Sequence, residues 1–61
     1  MSSKEVIRRL KKEGWIKVRT KGSHWQFSHS IIKRIVTVPH PEKDLPIGTY
    51  KSICRQAGWD N

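Results

Sequence analysis

Residues 15–28 alternate in character on both sides of one glycine: WIKVRTK, then Gly22, then SHWQFS. Strand side chains point to opposite faces with a period of two, so this pattern predicts two half-buried strands joined by a tight turn. In the first strand Ile16, Val18 and Thr20 share one face, and Trp15, Lys17, Arg19 and Lys21 share the other. In the second, Trp25 and Phe27 lie on one face and His24 and Gln26 on the opposite one. The hairpin therefore places His24 on the sheet face that bears Lys17 and Arg19, with the two aromatics turned to a core. KRIVTV supplies a third strand ending at Pro39, after a turn at SHSII. PHPEKDLP is irregular, because its three prolines deny regular hydrogen bonding.

Helices flank this unit. SSKEVIRRLKKEG has Ser2 and Glu5 at capping-box spacing and a narrow apolar stripe of Val6, Ile7 and Leu10, and Gly14 is its natural stop. Tyr50, Ile53, Cys54 and Ala57 fall at i, i+3, i+4 and i+7, so a last helix begins at Gly48 or Thr49 and ends at Gly58. Lys51 and Arg55 sit together on its exposed side. The whole is an α+β fold of order α-β-β-β-α. A three-stranded antiparallel sheet carries both helices on one face, the layout of double-stranded RNA-binding domains.

A chain of 61 residues forms a single domain, residues 1–61, and buries only about 60% of the surface it exposes when unfolded. One thin core layer leaves no deep cavity, so a large substrate gripped on the surface suits it better than an engulfed metabolite. Thirteen Lys and Arg against five Asp and Glu give a net charge of +8, which favours a polyanion partner through counterion release. The basic first helix has too narrow an apolar stripe to anchor in lipid, and no stretch is long enough to span a bilayer. A single cysteine excludes an internal disulfide and, with no signal-peptide pattern, points to the cytoplasm.

Most chemistry is excluded by spacing. His24, His29, His40 and Cys54 match no zinc pattern, so no metal or other cofactor is expected, and Cys54 falls on the core face of the last helix. Glu42 and Asp44 flank Lys43 in a loop with nothing across a cleft from them; Glu5 and Glu13 are explained by capping and solvation. Gly22 and Ser23 form a hairpin turn whose N–H groups and hydroxyl could also hold a phosphate oxygen, with Lys21 and Arg19 supplying charge. A lone strand histidine is usually structural, but His24 lies on a polar, cationic face and follows a flexible glycine. An imidazole beside a bound RNA phosphate can take the proton of a ribose 2′-OH, or protonate the departing 5′ oxygen, without a metal.

GSHWQF followed by VTVPHPEKDLPIGTYKSICRQAG resembles the HicA (YcfA-like) family of toxins from type II toxin–antitoxin systems, and the likeness includes the LKKEGW end of the first helix. The resemblance implies an mRNA interferase, a small endoribonuclease neutralised by a HicB-type antitoxin that covers the active site. The family's catalytic histidine, in the Gly-Ser-His motif, falls on His24. Many relatives carry a second histidine directly after it, where this chain has Trp25. The turn SHSIIKR is more apolar than usual, and Ile31 and Ile32 there offer a contact for the antitoxin or for a second copy.

The expected machinery is thus His24 as general acid or base, with Lys17, Arg19, Lys21, Gly22 and Ser23 on the RNA backbone. Lys51 and Arg55 extend that surface from the last helix. His40, between two prolines, either fixes its loop by a hydrogen bond or serves as the second proton-transfer partner. The chief alternative is a non-catalytic RNA-binding module of the same fold, which has no use for His24. A third is a structural subunit whose positive charge meets an acidic protein.

Overall fold

Ser2 starts the first helix by both halves of a capping box. Its hydroxyl accepts from the Glu5 N–H at 3.2 Å, and the Glu5 carboxylate accepts from the Ser2 N–H at 2.9 Å. The Ser2 N–H first, and then the Ser2 hydroxyl, which donates to the same oxygen at 3.1 Å, hold the Glu5 carboxyl below its ordinary range. The computed structural model describes residues 1–59. They form α1 (Ser3–Lys12), β1 (Ile16–Lys21), β2 (His24–Ser28), β3 (Ile35–Pro39) and α2 (Ile47–Ala57), in the expected α-β-β-β-α order. The antiparallel sheet runs β1-β2-β3.

Both helices cover one sheet face. Val6, Ile7 and Leu10 of α1 meet Phe27, Val36 and Val38 of the sheet and Ile53 and Ala57 of α2 in one core, closed by Trp15 and Leu45. Burial of each large aliphatic or aromatic side chain contributes about 1.5–3 kcal/mol, which makes this single layer the main stabilising term. The stripe on α2 is narrower than its spacing predicts: Ile53 and Ala57 are buried, whereas Tyr50 and Cys54 are half-buried at its rim. Cys54 is therefore no core residue; it borders a surface hollow with Lys51, Arg55 and Trp59.

The last helix begins earlier than expected, at Ile47, because the Pro46 carbonyl already accepts from the Tyr50 N–H at 2.9 Å. It ends at Gly58, φ 76°, in a Schellman arrangement: Trp59 N–H donates to the Cys54 carbonyl and Gly58 N–H to the Arg55 carbonyl. Gln56 covers the outer edge of β3, its Oε1 accepting from the Thr37 N–H at 2.8 Å. β1 forms the other edge, and all six of its residues are exposed rather than half-buried.

That exposure follows from position, since both helices pack chiefly against β3 at the opposite edge of the sheet. The strand is also irregular. The β1–β2 register pairs Ile16 with Ser28 and Lys17 with Phe27, then resumes as Arg19 with Gln26, Thr20 with Trp25 and Lys21 with His24. Val18 is the extra residue of a bulge, and one inserted residue exchanges the faces of everything on its far side. Lys17 therefore shares the helix-covered face with Phe27 and does not join Arg19 and Lys21. Trp15 is buried in the core, and Ile16 turns outward. The plain alternation expected for this strand is corrected on all three residues.

Glu13 is more than a solvated helix residue. Its carboxylate accepts from the Trp59 indole N–H at 2.8 Å and from Arg9 Nε at 3.0 Å, and the Arg9 guanidinium lies 4.0 Å over the Trp59 ring. The indole bond first, and the arginine second, hold the Glu13 carboxyl below its ordinary value of 4.5. A lowered folded-state pKa contributes stability that is present above pH 4.5 and lost as pH falls through the folded value. Glu13→Gln should therefore flatten the acid limb of a thermal-stability profile below pH 4.5 relative to the parent protein. Parallel acid limbs would show that this clamp does not contribute to the pH dependence.

Candidate active site on the open sheet face

Three cross-strand rows make up the face that no helix covers. Pairing across β1, β2 and β3 gives Lys21–His24–Pro39 nearest the hairpin turn, Arg19–Gln26–Thr37 in the middle and Ile16–Ser28–Ile35 at the far end. His24 thus stands at the head of β2 beside Lys21, and Arg19 lies in the next row on the same face. The strand spacing puts about 7 Å between successive rows. The His24 ring is exposed, and none of the hydrogen bonds among the described residues involves it. Both ring nitrogens are open to a ligand.

The turn that presents His24 is two residues long. Gly22 has φ 59°, and no residue other than glycine has a positive φ among the described residues, so Ser23 completes the sign pattern of a type II′ hairpin turn. No atom lies within 4 Å of where a Gly22 side chain would begin. Close approach of a bulky ligand to this backbone is unobstructed. Ser23 is exposed, and its carbonyl accepts from the His40 N–H at 2.7 Å, which ties the turn to the segment after β3.

His40 lies on the other side of the sheet from His24. Its neighbour Pro39 pairs with His24, whereas the His40 ring packs edge-on against Trp25 with centroids 4.5 Å apart. Ser3, one of the least exposed residues, is hydrogen-bonded through its hydroxyl to His40 Nδ1 at 2.7 Å, accepts from the Glu42 N–H at 2.8 Å and lies 3.2 Å from the Glu42 carbonyl oxygen. Lys17 Nζ sits 4.0 Å from the Trp25 ring centroid, completing a stack of Lys17, Trp25, His40 and Ser3 beneath the hairpin. Ser3 was invisible to sequence reasoning, since its partners are 37 and 39 residues away. A second serine directly after the cap was the only trace of it.

Lys51 and Arg55 are exposed on α2, which belongs to the layer on the opposite side of the sheet from His24. The structure thus brings together His24, Lys21, Arg19, Gly22 and Ser23, and leaves Lys17, His40, Lys51 and Arg55 off that face. His29 is committed elsewhere: Nδ1 accepts from the Ile31 and Ile32 N–H groups at 3.1 and 3.2 Å, which leaves the proton on Nε2 to donate to the Glu13 carbonyl at 2.9 Å. Among the described residues no group of three His, Cys, Asp or Glu side chains is placed to hold a metal ion. No helix among them is long and apolar enough to cross a membrane.

A search of curated proteins found no match to this chain. A family model described as the HicA toxin of bacterial toxin–antitoxin systems matches residues 3–59, nearly the whole of the chain and every element of the fold. On that match, the chain belongs to the HicA toxin family.

Proposed function

We propose that this toxin is a metal-independent endoribonuclease that acts on single-stranded RNA, with His24 as its proton-transfer group. The observation that carries the reading is the row Lys21–His24–Pro39: an exposed imidazole with free ring nitrogens, beside a cation, at the end of a glycine turn. A phosphate held by Lys21, Arg19 and the Gly22–Ser23 backbone would lie within reach of that ring. Deprotonation of the ribose 2′-OH lets its oxygen attack the adjacent phosphorus. The bond to the 5′ oxygen then breaks, leaving a 2′,3′-cyclic phosphate and a 5′-OH. His24 carries one of the two proton transfers and water the other, while the cations stabilise charge on the phosphorane.

In this reading His40 is a positioning residue rather than the second acid or base. Its backbone N–H holds the Ser23 carbonyl, and its ring is occupied by Ser3 and Trp25. Lys17 acts through packing on Trp25, and Lys51 and Arg55 offer a separate basic surface for distant parts of a long RNA. A HicB-type antitoxin would neutralise the enzyme by covering the open face. The test is incubation of antitoxin-free protein with single-stranded RNA in EDTA and analysis of the ends. Cyclic phosphate termini are the expected product. Intact RNA that is nevertheless bound would point to the non-catalytic RNA-binding module instead.

A further inference from the structure

The open face is chemically divided, and only one half of it suits RNA. The far row sets Ile16, 64% exposed, and Ile35, 49% exposed, on either side of Ser28. Ile35 and Ser28 continue into a shallow hollow with Ile32, His29, Lys33 and Arg34. The apolar centre of this surface thus has a cationic rim, formed by Lys33 and Arg34 at one side and Arg19 in the neighbouring row.

We propose that the Ile16–Ser28–Ile35 row and the adjoining hollow are the anchoring site for the antitoxin, through a segment of it with an apolar centre and an acidic rim. Three arguments select that occupant. Isoleucines do not bind phosphate, and bases stack on aromatic rings, which in this sheet (Trp25 and Phe27) are turned to the other face, so RNA gains nothing here. A second copy would bring Lys33, Arg34 and Arg19 against like charges, on a chain already at +8. A protein partner with acidic residues around an apolar anchor meets both features. A toxin of a toxin–antitoxin system implies a protein partner, the antitoxin.

The geometry also separates holding from inhibiting. The apolar row lies two rows from His24 along β2, about 14 Å at strand spacing. A docked protein domain spans that distance easily, so residues that anchor the antitoxin need not touch the residues that act on RNA. That separation rests on the His24 reading above, whereas the anchoring site itself does not.

The test is titration of the purified cognate antitoxin against four proteins: the parent, Ile16→Glu, Ile35→Glu and, as a control, Ile47→Glu. Ile47 is 69% exposed at the start of α2, outside the proposed surface. Loss of one buried isoleucine contact should weaken binding by about 10- to 100-fold for the first two variants and leave the control unchanged. A circular-dichroism melt of each variant verifies the fold, and Arg34→Glu supplies a second route, since reversing a rim charge should weaken binding without touching the apolar row. Antitoxin binding that survives in both Ile16→Glu and Ile35→Glu would overturn the proposal, as would a parent dimer that Ile16→Glu dissociates. RNA cleavage is read in parallel. Cleavage kept and antitoxin control lost is the expected pattern. An inactive parent whose antitoxin binding still depends on Ile16 and Ile35 would discard the nuclease reading and leave the anchoring site standing.

Discussion

His24→Ala should slow cleavage of single-stranded RNA by about 10²- to 10⁴-fold, the usual contribution of one positioned acid or base. Binding of the same RNA should change little, because the phosphate contacts come from Lys21, Arg19 and the turn backbone. The substitution is also mild structurally. The ring is exposed and forms no hydrogen bond among the described residues, so the melting temperature should stay with the parent's. Initial rates on a labelled oligonucleotide, with binding by fluorescence anisotropy, separate the two effects. A variant that binds and cleaves as well as the parent would remove His24 from the mechanism and send the search for the catalyst to another face.

Gly14→Ala should cost more stability than alanine at any of the other three glycines, none of which would bring its Cβ within 4 Å of another atom. Gly14 has φ 98°, where an L side chain is strained, and its new Cβ would lie 3.0 Å from His29 Nε2. Backbone strain of about 1–2 kcal/mol adds to the loss of the His29 bond to the Glu13 carbonyl, roughly 1 kcal/mol more. For a domain of this size the sum of about 2–3 kcal/mol corresponds to a melting temperature lower by roughly 10–20 °C. Gly22→Ala is the contrast. It shares the positive φ but meets no atom within 4 Å, so it should cost only the backbone part. Equal losses at the two positions, measured by thermal denaturation, would dismiss the His29 contact as a determinant of stability.

What the sequence discloses here is local, and what it withholds is long-range. The capping box at Ser2 and Glu5, the stop at Gly58 and the two-residue turn at Gly22–Ser23 follow from rules that span only a few residues. Period-two reading of β2 correctly sends Trp25 and Phe27 to the helices and His24 and Gln26 away from them. The same reading fails in β1, because a bulge leaves no mark on hydrophobic alternation. The bonds of Ser3 to His40 and Glu42, of Gln56 to Thr37 and of Trp59 to Glu13 join residues 19 to 46 positions apart. No pattern in a short window can pair them. The site is accordingly legible as a histidine on a cationic hairpin, while the neighbours of that histidine depend on the tertiary structure.

The extra residue at Val18 resolves a conflict of parity. Trp15, Lys17, Arg19 and Lys21 are all odd-numbered, so an uninterrupted strand must present them together. It would then either expose a tryptophan the core needs or turn inward cations suited to a phosphate. One residue out of step divides the strand into two segments of opposite phase. The first segment puts Trp15 inside and Ile16 outside; the second keeps Arg19 and Lys21 beside His24. A packing demand and an electrostatic demand on the same stretch, residues 15–21, are thereby made independent.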